Sequence, residues 1–329
     1  MKLRDKIQSL ASILKVKFLN RRIPLAVRLQ VTNRCTLQCK YCNLWSFKTG
    51  EPSTERIFGL IKQLSLLGTK RISISGGEPL LRGDIAEIIN YCCKNGIYPE
   101  MNSNGKLVPG MIKEIKNLNF LKLSLDGPEE AHDLIRGRGS YKDVIAAADA
   151  AYKNSINFGF ATTLTKYNID FLDHLLVVAK RYGTIVAFQP IKKLYRGIND
   201  IEELAPPEGK FKQAIGKLIL EKKSGNIYIR NTLDNLWHIY NWPIYGKIKC
   251  WAGKIFCIID VTGDLYPCDR VNYGVLLPNC IEIGIEKAIG KLPEINCSGC
   301  GFCGSLELNY LMSFKTSILS SIRKIIGKI

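Results

Sequence analysis

The chain has 329 residues, enough to bury a full core and leave room for a second, smaller unit. Hydrophobic residues make up 46% and charged residues 23%, which excludes a low-complexity, fibrous or disordered chain. Lys and Arg number 47 against 29 Asp and Glu, and the net charge of +18 favours an anionic partner such as nucleic acid, a phosphorylated substrate or a membrane surface.

Residues 1–22 carry seven basic side chains against one acidic, with Leu3, Ile7, Leu10, Leu14 and Phe18 at helical spacing, and are predicted as a basic amphipathic helix. From 23 to 205 short β-rich runs alternate with helical stretches. AVRLQVT (26–32), RISIS (71–75), IYPEMN (97–102), FLKLSLD (120–126), NFGFATTLT (157–165) and IVAFQPI (185–191) read as strands, with TERIFGLIKQLSLL and YKDVIAAADAAYKN among the helices between them. Six strand-helix repeats imply parallel strands with right-handed crossovers. The predicted fold class is α/β: a partial (β/α)6 TIM-like barrel, with an open doubly wound sheet as second choice. After Pro206-Pro207 the alternation stops, and a helical linker (206–248) leads to a small cysteine-rich domain (249–305). The closing segment, 306–329, repeats the basic amphipathic pattern with Leu311, Phe314, Ile318, Ile322, Ile325 and Ile329 as its stripe and Lys315, Arg323, Lys324 and Lys328 beside it.

The two end segments hold half of the excess charge. Such helices either lie in a membrane interface, which suggests a lipid-linked or isoprenoid substrate, or pack their stripe on the barrel or a partner subunit. Nucleic acid is disfavoured, because no aromatic platform interleaves with the basic residues. The start has no signal-peptide layout and no stretch approaches the roughly 20 apolar residues that span a bilayer. Twelve cysteines in a chain of this length point to a reducing cytoplasm, where clustered thiols bind metal more often than each other.

Parallel α/β folds gather functional groups at the carboxyl ends of their strands. The first strand runs into Cys35, Cys39 and Cys42, three thiols in one loop. Iron-sulfur cubanes normally take four thiolates, so three leave one iron open for an exogenous ligand. A zinc site or a fourth ligand from elsewhere is the alternative. The second strand exits into Gly76-Gly77-Glu78-Pro79, where a backbone edge without side chains lets a ligand approach. The third and fourth end in Asn102-Ser103-Asn104-Gly105 and Ser124-Leu125-Asp126-Gly127, each ordinary turn chemistry alone. His132, His174 and His238 show no pattern that marks a general base, and Cys92 and Cys93 fall on a helix away from this rim.

In this order the motifs resemble the radical S-adenosylmethionine (SAM) superfamily: Cys35-x3-Cys39-x2-Cys42 with Tyr41 before the third cysteine, Gly76-Gly77-Glu78-Pro79, Asn104-Gly105, Ser124-Leu125-Asp126-Gly127, and His132-Asp133-x2-Arg136-Gly137-x-Gly139-Ser140. The resemblance covers about half the chain. It implies a 4Fe-4S cluster on Cys35, Cys39 and Cys42 whose open iron chelates SAM, the amino group received by Gly76, Gly77 and Glu78. Ser124 and Asp126 would lie near ribose and methionine, Tyr41 near adenine, Asn104 on the same rim, and Arg136 or Arg138 opposite the methionyl carboxylate. Reduction, by a flavodoxin or ferredoxin, would yield a 5′-deoxyadenosyl radical that takes hydrogen from a substrate C–H bond.

Further on, IFCIIDVTGDLYPC reads as a β-hairpin turning at Thr262-Gly263-Asp264. Taken with Cys250, Cys268, Cys297 and Cys300, it resembles the auxiliary-cluster domain of the SPASM and twitch branch, which implies a second 4Fe-4S cluster; a zinc knuckle is the alternative. Cys303 is the alternative ligand to Cys300, and Cys257 and Cys280 have no assigned role beyond returning a hydrogen atom or filling the core. The leading expectation is a radical SAM enzyme that oxidises, epimerises or otherwise modifies a C–H bond, against a noncatalytic iron-sulfur or zinc protein for binding or electron transfer. Small or lipid-linked molecules are favoured slightly over peptides, since no peptide-recognition domain precedes the first strand. A peptide-modifying maturase is the second choice.

Overall fold

The structure, a computed structural model, describes residues 3–191, 201–269, 276–293 and 299–313. Cys297 and the closing basic segment beyond Ser313 lie outside the described residues, as do the side chains of Leu3, Ile7 and Leu10 in the first stripe.

Helix α1 (Leu3–Phe18) precedes β1 (Ala26–Thr32), α2 (Thr54–Leu67), β2 (Arg71–Gly76), α3 (Ile85–Lys94) and β3 (Tyr98–Ser103). Then come β4 (Phe120–Ser124), α4 (Glu129–Arg136), α5 (Ser140–Lys153), β5 (Phe158–Leu164), α6 (Leu172–Arg181) and β6 (Val186–Pro190). The remainder holds α7 (Glu208–Lys223), α8 (Leu233–Tyr240), β7 (Phe256–Ile259), β8 (Leu265–Tyr266), α9 (Cys280–Ile283), α10 (Ile285–Gly290) and α11 (Cys303–Met312). The crossover from β3 to β4 carries only a 3-10 turn, Pro109–Met111, with Pro109 at its first position.

The sheet runs β6-β5-β4-β3-β2-β1-β7-β8. Strands β1 to β6 are parallel and follow one another in sequence order, as in a partial barrel; a doubly wound sheet reverses direction part-way. The cysteine-rich segment is built onto that sheet: β7 pairs in parallel with β1, from Ala26 opposite Phe256 to Leu29 opposite Ile259, and β8 folds back antiparallel on β7. The Asp260 carboxylate draws the hairpin turn together by accepting from the N–H groups of Thr262 (2.9 Å) and Asp264 (3.0 Å).

Strand alternation fixes where the core and the cavity lie. On β2, Ile72 and Ile74 point outward and are fully buried under the helices, while Arg71, Ser73 and Ser75 point inward to a cavity. Helix α2 supplies the matching apolar stripe, Ile57, Leu60, Ile61 and Leu64; Ser53 caps its start, and Gly68 ends it in a left-handed conformation (φ 99°) that an L side chain resists. Across the open side of the barrel, Asn231 grips β6, its amide donating to Phe188 O (2.8 Å) and accepting from Phe188 N (2.9 Å).

Ile13 and Val16 of α1 are buried with Leu25, Trp251, Ile255, Phe256 and Met312, at the end where β1 and β7 begin. The first helix thus packs beneath the barrel. Leu14 and Phe18 of its anticipated stripe face outward, Phe18 being 70% exposed. No helix among the described residues is long and apolar enough to cross a membrane.

Candidate active site

A cavity of about 590 Å³ opens at the carboxyl ends of the strands and continues into the barrel. Its rim includes Cys35, Cys39 and Cys42, set in the loop that leaves β1. That loop is anchored twice: Cys42 N–H donates to Cys39 O (3.0 Å), and Lys40 N–H to Ile135 O on α4 (2.9 Å). The thiols interact electrostatically with one another. Burial raises all three, Cys39 to about 11 despite the opposing Arg136 charge. Two N–H donors reach the sulfurs, Asn104 Nδ2 at 3.8 Å from Cys35 Sγ and Arg136 Nη1 at 3.9 Å from Cys39 Sγ.

The paired glycines are required by the chain itself. A Cβ on Gly76 would stand 2.0 Å from Thr32 O, and one on Gly77 2.1 Å from Arg34 O. Bare backbone lets Gly77 N–H donate to Thr32 O and Glu78 N–H to Arg34 O, both at 2.8 Å, so the β2 exit braces the approach to Cys35.

Glu78 points away from the cavity. It is fully buried, and its carboxylate accepts from Ser103 Oγ (3.0 Å), Asn104 N (2.8 Å) and Leu80 N (3.3 Å). Burial outweighs those donors and lifts its pKa to about 7, above the ordinary 4.5. The folded state therefore keeps a proton that the unfolded chain releases, and the stability due to Glu78 falls as pH rises from about 4.5 to about 7. Relative to Glu78→Gln, wild type should lose about 3 kcal/mol across that window in urea titrations. A constant difference would show Glu78 ionised throughout.

Asp126 is likewise fully buried in the wall. Its Oδ2 accepts from Arg136 Nε (2.6 Å) and Tyr41 OH (2.9 Å), and its Oδ1 from Thr163 N (2.9 Å). Its partners Tyr41, Arg136 and Thr163 line the cavity, the guanidinium lying over the tyrosine ring at 5.5 Å. Burial opposes the Arg136 charge, but Asp126 and Tyr41 hold its proton above the usual range; burial also raises Tyr41. His132 Nδ1 accepts from Asp126 N (3.1 Å), and burial keeps that imidazole neutral down to about 4. Asp133 accepts from the N–H groups of Gly139 (2.6 Å) and Tyr141 (2.8 Å), tying down the turn after α4. The His132-to-Ser140 motif is thus a brace that aims Arg136. Arg138, the other candidate, is exposed and does not line the cavity; Gly76, Gly77, Asn104 and Ser124 do.

The Radical SAM superfamily model matches residues 29–177. Mycofactocin maturase MftC of Mycolicibacterium smegmatis is 27% identical over 308 residues, 86% of this chain and 76% of that protein. The AdoMet-dependent heme synthase of Nitratidesulfovibrio vulgaris is 30% identical over 266 residues, 73% of this chain and 72% of that protein. The chain belongs to the radical SAM superfamily. Two solved structures share the fold: anSMEcpe with bound AdoMet and Cp18Cys peptide (TM-score 0.65, 21% identity, 82% of this chain and 80% of that one) and Streptococcus suis SuiB bound to precursor peptide SuiA (TM-score 0.68, 16% identity, 87% and 70%).

As a radical SAM protein the chain is an enzyme, and a 4Fe-4S cluster and SAM, when bound, would supply the radical chemistry that removes hydrogen from a substrate C–H bond. Its residues fit a cluster. No three His, Cys, Asp or Glu side chains among the described residues are gathered round one metal-ion position, and a cluster, which spreads its ligands over several irons, does not require that. The donors on Cys35 and Cys39 suit thiolates and sulfide, which carry negative charge.

The remaining thiols divide by position. Cys268 and Cys303 border the cavity; Cys303 Sγ donates to Phe188 O (2.5 Å) and accepts from Asn231 Nδ2 (3.4 Å). Cys300 is buried, and Cys250 is half-buried. Cys257 also borders the cavity while packing into the main core, and Cys280 lies in that core; burial raises both, Cys280 to about 12. No motif marks the cavity floor, which Arg71, Glu100, Lys122 and Arg230 all line. The signal was present in β2, where Arg-Ile-Ser-Ile-Ser alternates polar and apolar side chains, and a strand covered by helices on one face needs such alternation only if its other face meets water.

Proposed function

We propose that this radical SAM enzyme is a maturase that modifies a C–H bond of a peptide whose end enters the barrel. In this proposal Cys35, Cys39 and Cys42 hold the catalytic cluster; Gly76, Gly77, Tyr41, Asn104, Ser124 and Arg136 contact SAM, and Glu78 and Asp126 hold those groups in place. Arg138 is left without a part. Cys250, Cys268 and Cys300 or Cys303, with Cys297, would carry the auxiliary cluster in segment 249–305, and a flavodoxin or ferredoxin in the cytoplasm would supply electrons. The supporting observation is the continuous cavity from the thiol rim to the barrel floor, with Cys268 and Cys303 on the same wall. The maturase relative and the peptide-bound structures favour a peptide. The heme synthase relative favours a second reading, a small molecule, which the same cavity could admit.

Anaerobic reconstitution of the full chain should load about eight irons, against about four with a single cluster. Reduction with SAM should release 5′-deoxyadenosine, and incubation with candidate precursor peptides should change a peptide's mass. Radical formation with turnover of a porphyrin and of no peptide would favour the second reading.

A further inference from the structure

An eight-stranded α/β barrel ordinarily fills its interior with branched apolar side chains. This partial barrel instead places Arg28, Arg71, Glu100 and Lys122 on its inner face, and Arg230 reaches the same cavity from the segment beside β6. The acids do not match the cations one to one. Arg28 is engaged by Asp269 at 2.6 Å. Glu100 alone serves Lys122 (2.5 Å) and Arg71 (3.6 Å). Glu307, the remaining carboxylate, accepts from Thr232 N (3.0 Å) and Thr232 Oγ1 (3.2 Å).

The Arg230 side chain lies over the Phe120 ring at 5.6 Å and makes no ion pair or hydrogen bond among the described residues. Burial, with Arg71 and Arg230 nearby, brings Lys122 down to about 8 in spite of Glu100. Glu100, although burial opposes its charge, is held down to about 2 by Arg71 and Lys122. Glu100 and Glu307 both attract Arg230, but two carboxylates against Arg71, Lys122 and Arg230 still leave excess positive charge on a walled cavity, where water screens it poorly.

We propose that Arg71, Lys122 and Arg230 form an anion-binding subsite on the cavity floor that takes a carboxylate or phosphate group of the substrate. The subsite rests on the cavity being the substrate chamber of the radical SAM enzyme. A guanidinium fork suits either group, and Lys122 adds a point charge. At about 3.3 Å per strand residue, Lys122 lies about 7 Å before Ser124 and Arg71 about 16 Å before Gly76. An anion held there leaves the rest of the substrate to extend toward the rim, and so fixes which carbon arrives.

The test uses the full chain, anaerobically reconstituted and saturated with SAM so that the cofactor's own carboxylate is already placed. Binding of glutarate and of inorganic pyrophosphate is followed by calorimetry for wild type, Arg230→Gln, Lys122→Met, Arg230→Lys and the exposed-site control Lys153→Gln. At least one probe should bind wild type, weaken about tenfold or more in Arg230→Gln and Lys122→Met, and stay within a few-fold in Arg230→Lys and Lys153→Gln. Preference for glutarate or for pyrophosphate identifies the source of the anion. No binding to wild type, or equal binding to wild type, Arg230→Gln and Lys122→Met, overturns the subsite. Release of 5′-deoxyadenosine by the same wild-type sample reports separately on the chamber: its absence removes the enzyme reading, whereas the binding isotherms judge the subsite.

Discussion

Cys39→Ala is expected to strip about four irons and four sulfides from each chain and to abolish 5′-deoxyadenosine release. Cys39 interacts electrostatically with both other thiols and has the Arg136 guanidinium 3.9 Å from its sulfur, which places it centrally in the trio. The loss should not come from unfolding. The thiol belongs to a surface loop tied down by backbone hydrogen bonds at Lys40 and Cys42, and removing one sulfur there should cost the unloaded chain less than about 1 kcal/mol. Circular dichroism melts of unloaded wild type and variant separate the two causes. Cys93→Ala, on the exposed side of α3, is the matched control and should keep its full iron content. Retention of both iron and radical formation by Cys39→Ala would remove the cluster from this loop.

Arg136→Leu is expected to destabilise the fold by about 3–5 kcal/mol, because it leaves the Asp126 carboxylate buried without its countercharge. Tyr41 OH and Thr163 N remain as donors, but neither carries a charge. Asp126→Asn in the same chain should recover much of the loss, since a neutral amide can stay buried with those partners. Urea unfolding of the two single variants and the double variant gives the coupling energy directly. A cost below about 1 kcal/mol for Arg136→Leu would mean that water reaches Asp126 and that the wall is open. The variant also carries a functional readout: with the guanidinium gone from the Tyr41 face and the cavity wall, SAM should bind more weakly even where the protein is folded, as measured by equilibrium dialysis below the unfolding midpoint.

Much of the barrel could be read along the chain because its causes are local. TERIFGLIKQLSLL carries a helical stripe between Ser53 and Gly68, and α2 occupies those limits. Apolar alternation in RISIS places β2 within one residue of its observed end. The hairpin through Gly263 was likewise encoded in adjacent residues, the Asp260 carboxylate closing the turn. The β3–β4 crossover departs from the repeat, carrying a 3-10 turn that opens at Pro109.

Strand direction and loop order follow from the chain, so residue patterns alone place Cys35, Cys39 and Cys42 on a common rim with the β2, β3 and β4 exits. The folded arrangement, by contrast, settled which polar groups face the cavity. Glu78 and Asp126 turn away from the cavity because donors from β3, β5, Tyr41 and Arg136 meet them in the wall, and Arg136 rather than Arg138 lines the cavity because Asp126 holds it. It also decided that β7 would extend the sheet at β1, and that Arg71, Glu100, Lys122 and Arg230 would meet on one floor. Those juxtapositions depend on strand register and on hydrogen bonds between residues tens of positions apart, which no local pattern encodes.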